Sequence, residues 1–317
     1  MMKFIDLFAG MGGFRLAFEK QGCKCVFSSE IDAHAIQTYQ SNFNDIPAGD
    51  ITKIAARDIP DFDILCAGFP CQPFSLAGKR KGFDDTRGTL FFDIARILSE
   101  KKPMAAILEN VKGITNHNSG KTIQTILDVL DKIGYSCKYS VLNSSDFGVP
   151  QSRERWYCIC IRKDLCISAN NFSFPEKKNE KILFADILET QVSKKYKISK
   201  KCESNIQKFL KEKNIQITEN LLAYDIRPSR CQFKSNGIAP TLTAKMGTGG
   251  NNIPVLVKDM RFLTERECLS IMGYPKSYKI TTGSHVYNQI GNSVCVPVIN
   301  LLAENLVSLL ISEDKKN

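Results

Sequence analysis

Hydrophobic and polar positions follow two regimes along the 317 residues. Through about residue 165, short apolar runs of strand length alternate with amphipathic stretches of helical period. Strands are predicted over 3–8, 24–29, 62–67, 104–109, 136–142 and 156–161. Helices are predicted from near Gly13 and Asp32, and over 89–98 and 120–133. This alternation predicts an α/β fold with a doubly wound, mainly parallel sheet. The pattern then decays. Residues 170–250, rich in Lys, Asn and Ser, show no sustained period and predict a smaller, irregular domain. Order returns over 264–272, where Thr264 and Glu267 have capping-box spacing. An amphipathic helix over 297–311 follows, with Pro297 in its first turn. The charged tail from Ser312 is expected to fray. Asp6, Arg15 and Glu19 break the apolar N-terminus, so a secretory signal is not expected there. No stretch reads as the unbroken run of a membrane helix, so a soluble protein is expected.

Composition sharpens one part of this picture. Hydrophobic residues make up 43% and charged residues 24%, an ordinary globular balance. The net charge of +10 is concentrated in the middle: residues 165–257 hold 15 Lys+Arg against 8 Asp+Glu. A localised basic excess suits a polyanion, whose counterions are released on binding; a solvated lysine-rich surface is the other reading. The 12 cysteines are scattered, with Cys-x-Cys at 23/25 and 158/160 and no Cys-x-x-Cys. This spacing supports neither a disulfide framework nor a zinc site, and fits reduced thiols in a cytoplasm. Three histidines make a His-rich metal site unexpected.

Two segments carry candidate chemistry. The first predicted strand runs into Gly10-Met-Gly12-Gly13 and then a helix, the arrangement in which backbone approaches a ligand. Glu30 ends the second strand, where a carboxylate can take the two hydroxyls of a ribose. Asp50 is placed to accept from an adenine amino group. Gly-x-Gly-Gly lacks the third glycine of the dinucleotide pattern, so an adenosine without phosphates is expected; a plain tight turn is the alternative. The second segment follows the third strand as Gly68-Phe-Pro70-Cys71-Gln72-Pro73-Phe-Ser75. Two prolines clamp Cys71 at the C-terminal end of a sheet strand, where α/β enzymes place their chemistry.

With these residues the chain resembles the C5-cytosine DNA methyltransferases of bacterial restriction–modification systems, in order and over nearly its whole length. Asp6–Glu19, Gly68–Ser75, 86–92 (Thr-Arg-Gly-Thr-Leu-Phe-Phe), Glu109-Asn110-Val111 and Gln151-Ser-Arg153-Glu-Arg155 each resemble a family motif. So do Arg266-Glu267-Cys268 with Met272-Gly273-Tyr274-Pro275, and Gln289-Ile-Gly291-Asn292-Ser293-Val294.

The resemblance implies a catalytic domain over 1–170, a target-recognition domain over 171–262, and a return to the catalytic domain over 263–317. It implies S-adenosylmethionine, leaving as S-adenosylhomocysteine, held by Phe8, Gly10, Gly12, Gly13, Glu30, Ile31, Asp50, Ile51, Pro70, Asn292, Ser293 and Val294, with no metal. Cys71 is the implied nucleophile towards cytosine C6. Glu109 is the implied partner or proton donor at N3 and the amino group. Arg155 is implied at O2, with Arg153 anchoring the pocket or a phosphate. The target base would leave the duplex. Residues 76–87 would form a basic lid. DNA contacts are implied for Gln72, Ser75, Lys79, Arg80, Lys81, Arg87 and Thr241. Arg227, Arg230, Gln232 and Lys245 are candidates for the major groove. The implied partner is double-stranded DNA, with a monomer acting near the nucleoid, a possible paired endonuclease and no membrane. An RNA methyltransferase on this scaffold would carry Cys-Phe-Thr in the variable region, and none occurs. A Rossmann oxidoreductase would leave Pro-Cys-Gln-Pro unexplained. A non-catalytic repressor would not need Cys71, Glu109 and Arg155 intact.

Overall fold

The fold is that of a computed structural model, which describes residues 1–70, 90–177, 182–246, 248, 252–281 and 283–314. Its first half runs β1 (Lys3–Leu7), α1 (Gly13–Lys20), β2 (Lys24–Ser29), α2 (Ala33–Phe43), β3 (Ile64–Gly68), α3 (Leu90–Lys101), β4 (Ala105–Val111), α4 (Lys121–Lys132), β5 (Tyr135–Asn143) and β6 (Glu154–Arg162). The six strands form one sheet in the order β2-β1-β3-β4-β6-β5. β2, β1, β3 and β4 are mutually parallel; β6 is antiparallel to both β4 and β5. The sequence therefore predicts every strand of this sheet and its mainly parallel character.

The order fixes where a ligand can sit. From β1 the chain moves outward to β2, then returns to the other side of β1 as β3. Loops leaving the C-terminal ends of β1 and β3 thus diverge, which opens a crevice at this switch point. The glycine turn leaves β1 and the Pro70 segment leaves β3 at that same edge.

Both sheet faces are covered, which is why the strands read as apolar runs rather than alternating ones. On one face Phe4, Ile64, Cys66, Ala105, Ile107, Tyr157, Ile159 and Ile161 pack under α1 and the C-terminal helix. On the other, Ile5, Leu65, Ala67, Leu108, Trp156, Cys158 and Cys160 pack under α3 and α4. The chain goes on as α5 (Lys200–Glu212), β7 (Leu222–Arg227), β8 (Arg230–Lys234), β9 (Val255–Leu256), β10 (Arg261–Phe262), α6 (Glu265–Ile271), α7 (Ser284–Asn292) and α8 (Val296–Asp314).

The structure corrects the reading of 170–250 as aperiodic. Strands β10-β9-β7-β8 form a second, antiparallel sheet. Helix α5 covers it through Ile206, Phe209 and Leu210, packed with Leu221, Ala223, Ile226 and Cys231. Three apolar residues at i, i+3 and i+4 are a narrow stripe in a helix otherwise dominated by lysine, so its period is easily missed. Ser199 starts the helix by accepting from the Cys202 N–H at 3.2 Å.

The sequence does not predict helix α7, since its polar composition and Gly291 argue against a helix. Gly291 is required by packing: a Cβ there would lie 2.1 Å from the Thr243 carbonyl carbon. The membrane reading changes as well. The segment Ser284–Ser312 contains a window of mean hydropathy 2.0, apolar enough to cross a bilayer. The structure buries Val298, Ile299, Leu302, Leu306 and Leu310 of this segment in the core against α1. Its hydropathy is that of a helix whose apolar side faces protein.

Candidate active site

The glycine turn follows β1 through two left-handed residues, Phe8 (φ 56) and Gly10 (φ 52). Gly12 caps α1 at φ 76, and a Cβ there would lie 2.3 Å from the Phe43 ring, so the backbone tolerates no side chain. Glu30, just beyond β2, folds over the turn. Its Oε2 accepts from the Gly10 N–H at 2.7 Å, and its Oε1 accepts from the Ile31 and Asp32 amides at 2.7 and 2.9 Å. Three amides orient this carboxylate, and Oε2, which accepts only one of them, keeps a lone pair for a hydroxyl donor.

Ile31 beside it is 74% exposed and presents an apolar side chain against which a flat ring such as adenine could pack. Asp50 accepts from the Thr52 hydroxyl at 2.8 Å and its amide at 3.1 Å, which holds its carboxyl below the usual range. Ile51 lies in the core, so its side chain is not a lining group. A carboxylate for a ribose, an acceptor for an amino group and an exposed apolar face fit an adenosine moiety.

The far end of the chain closes this turn. A Cβ on Gly13 would lie 2.5 Å from a Val294 methyl. The Ser293 hydroxyl hydrogen bonds with the Tyr274 hydroxyl, and Tyr278 donates to the Met11 carbonyl. Asn292 is exposed and donates to Asn288 at 3.2 Å.

The second half of the site stands on β4 and β6. Their antiparallel register sets Glu109 opposite Tyr157 and Val111 opposite Arg155. Glu109 is 8% exposed, and burial raises its carboxyl above the usual range against the pull of Arg155 and Arg153. Arg155 Nε lies 3.2 Å from Glu109 Oε1. The Cα of Gly68 faces this pair: a Cβ there would be 3.6 Å from Glu109 Oε2 and 3.7 Å from Val294. The end of β3, the acid and the last motif are therefore in one pocket. Exposed Pro70 marks the exit of the chain from it. Cys71, Gln72, Ser75, Lys79, Arg80, Lys81, Arg87 and the expected lid lie outside the described residues.

Of the two roles expected for Arg153, anchorage of the pocket is the one its surroundings fit. Its guanidinium is buried and donates to the carbonyls of Leu242 (2.7 Å), Gly291 (3.1 Å) and Ser293 (2.7 Å). It is not available to a phosphate. Burial, with Arg155 beside it, pulls its pKa down to about 10. Thr241 likewise differs from the expected phosphate donor. Its hydroxyl donates to the Ser152 carbonyl at 2.6 Å, which leaves only acceptor capacity.

Arg227 and Arg230, at the tip of the β7–β8 hairpin, both pair with Asp225, at 3.0 and 2.6 Å. Gln232 and Lys245 are exposed. Asn110 and Gln151, each inside a family motif, also build the site. Asn110 donates to the Phe69 carbonyl at 2.9 Å and so ties β4 to the exit of β3. Gln151 accepts from the Leu242 amide at 3.0 Å. Their motif positions were the available signal.

A doubly wound sheet with an adenosine-fitting turn at its switch point, and a buried acid–arginine pair beside it, is an α/β methyltransferase. Residues 2–308 match the C-5 cytosine-specific DNA methylases, and the chain belongs to that family. The Type II methyltransferase M.HhaI of Haemophilus parahaemolyticus is 43% identical over 98% of this chain and 95% of that protein. M.NlaX of Neisseria lactamica is 43% identical over 98% and 97%, and M.HpaII of Haemophilus parainfluenzae 42% identical over 97% and 89%. Among solved structures, a mutant Spodoptera frugiperda DNMT2 superposes with TM-score 0.74 at 22% identity, covering 97% of this chain and 100% of that one. A putative DNA modification methyltransferase from an E. coli prophage gives 0.72 at 24% identity, over 98% and 100%. These two show the shared fold.

Proposed function

We propose that this cytosine-5 DNA methyltransferase modifies one cytosine within a short duplex sequence, after drawing that base out of the helix, by transient attachment of its C6 to Cys71. The observation that carries the reading is the pocket at the end of β3, where buried Glu109 and Arg155 lie beside the turn that fits adenosine. S-adenosylmethionine supplies an electrophilic methyl when bound and leaves as S-adenosylhomocysteine. Glu30 holds its ribose and Asp50 its adenine amino group, with Ile31 against the ring. The main chain of Phe8, Gly10, Gly12, Gly13, Ile51 and Pro70 lines the rest, and Asn292, Ser293 and Val294 close it.

Addition of the Cys71 thiolate to C6 makes C5 nucleophilic and moves negative charge towards N3. A carboxyl whose proton affinity is raised by burial is suited to meet that charge, which is the role of Glu109. Arg155 donates to O2 and orients Glu109. Arg153 is a positioning residue that holds the 242 and 291–293 main chains together. Once C5 has taken the methyl, its proton passes to water and the C6–sulfur bond breaks with its electron pair returning to Cys71, which restores the ring. The chemistry assigns no step to a metal.

The duplex would be gripped by Gln72, Ser75, Lys79, Arg80, Lys81 and Arg87 near the nucleophile. Residues 171–262 would read sequence, with Arg227, Arg230 and Lys245 offered to it and Thr241 shaping the seam. The protein would act as a monomer in the cytoplasm at the nucleoid, protecting sites from a paired endonuclease. Bisulfite sequencing of DNA from bacteria expressing the gene tests this. The expected result is resistant cytosines confined to one fixed sequence context and absent with Cys71→Ala. DNA no more resistant than the vector control, alongside labelled methyl on tRNA, would refute it.

A further inference from the structure

The sequence spaces Cys137 more than twenty residues from Cys158 and Cys160, and nothing in that spacing suggests a ligand set. The sheet brings them together. In the β5–β6 register Cys137 is directly opposite Cys160, and Cys158 projects from the same face of β6. The Sγ atoms of Cys137 and Cys160 are 3.3 Å apart, those of Cys158 and Cys160 are 3.8 Å apart, and all three lie within 4.8 Å of one another. A cation bound through metal–sulfur bonds of about 2.3 Å sets its sulfurs roughly 3.8 Å apart. The Cys158–Cys160 separation equals that spacing, and the Cys137–Cys160 approach at 3.3 Å lies about half an ångström inside it.

The position of the cluster also suits a ligand. Cys158 and Cys160 are fully buried, while Cys137 is half-buried at the outer strand and offers the way in. Thiolates select soft cations over magnesium or calcium. Among the described residues no His or carboxylate joins the three thiols, so the protein provides three donors rather than four. Three sulfurs suit trigonal Cu(I), or Zn(II) with water in the remaining position. Side chains on this face of β6 pack under α3 and α4, whereas Glu109 and Tyr157 belong to the opposite face. A cation here would sit across the sheet from the methyl-transfer pocket.

We infer that Cys137, Cys158 and Cys160 form a binding site for a thiophilic d10 cation. Each thiol that coordinates releases its proton to solvent, and no electron is transferred.

The test uses the full-length protein, reduced and metal-free, titrated separately with Cu(I) and Zn(II) against a chromogenic chelator. Cys137→Ser and Cys160→Ser serve as variants and exposed Cys166→Ser as control. Wild type and the control should bind one equivalent more than the two variants, at least about 100-fold more tightly at that site. X-ray absorption should count three sulfurs at about 2.3 Å. Retention with one cation and not the other identifies which ion the site takes. A second readout needs no substitution: loading should slow alkylation of Cys137 at least tenfold relative to Cys166. Equal stoichiometry in wild type and both variants, fewer than three sulfurs, or unchanged alkylation of Cys137 would each overturn the proposal.

Discussion

At the scale of single residues, two buried carboxyls behave in opposite ways towards function. Glu109 faces Arg155 in the pocket and is held above the usual carboxyl range by burial. If it gives a proton to N3, activity declines as pH rises through its pKa. Glu109→Gln keeps a donor but has no proton to give, so turnover should fall about 10²–10⁴-fold, with duplex affinity little changed. The same variant should flatten the alkaline limb of the rate profile; single-turnover kinetics against pH would show whether that limb survives. Asp6 is fully buried on β1, and burial pushes its pKa well up, opposed in part by Arg15. The folded protein therefore keeps a proton that the unfolded chain releases above about pH 4. That contribution is complete below the unfolded pKa and is lost as pH rises towards the folded one. Urea midpoints of wild type should consequently fall relative to Asp6→Asn between pH 5 and 8. A difference independent of pH would mean that Asp6 is already ionised when folded.

At the scale of elements, three segments distant in sequence meet through main-chain groups rather than side-chain packing alone. Arg153 on the approach to β6 reaches carbonyls at 242, 291 and 293. Its replacement by Met leaves those buried acceptors without a donor. We expect a loss of about 3 kcal/mol or more in chemical unfolding, with activity lost by displacement of 291–293. Gly291 makes the reciprocal contact from α7. Gly291→Ala should cost about 1–3 kcal/mol, because the helix must retreat from Thr243. A variant as stable as wild type would show that α7 moves freely there. Helices α5 and α7 were illegible in the sequence because a narrow apolar stripe and an embedded glycine both weaken the local signal. Strands β1, β3, β4 and β6 were legible because each is apolar enough to be buried on both faces, whereas β2 and β5, at the sheet edges, are only partly buried.

For the whole molecule, the basic excess of residues 165–257 falls largely on and around α5. Lys194, Lys195, Lys197, Lys200, Lys201, Lys208, Lys211 and Lys213 are all exposed. If they face phosphates, duplex affinity should fall linearly on a log–log plot against salt. Lys200→Gln/Lys201→Gln/Lys211→Gln should lower that slope by up to about three. Filter binding at several salt concentrations reads this directly, and an unchanged slope would place these lysines away from DNA.

By itself the sequence determined the central sheet and the glycine turn with Glu30, and through resemblance of motifs it pointed to Glu109 and Arg155 separately. These follow from local composition and from motifs whose residues are neighbours in the chain. Tertiary structure decided which groups those residues meet. Arg153 is a buried brace rather than a phosphate ligand, Thr241 has its proton committed to Ser152, and an apolar C-terminal helix lies against α1. It also brought three separated cysteines to one face of a hairpin. Register and close approach are properties of paired segments, so no single stretch of sequence holds them.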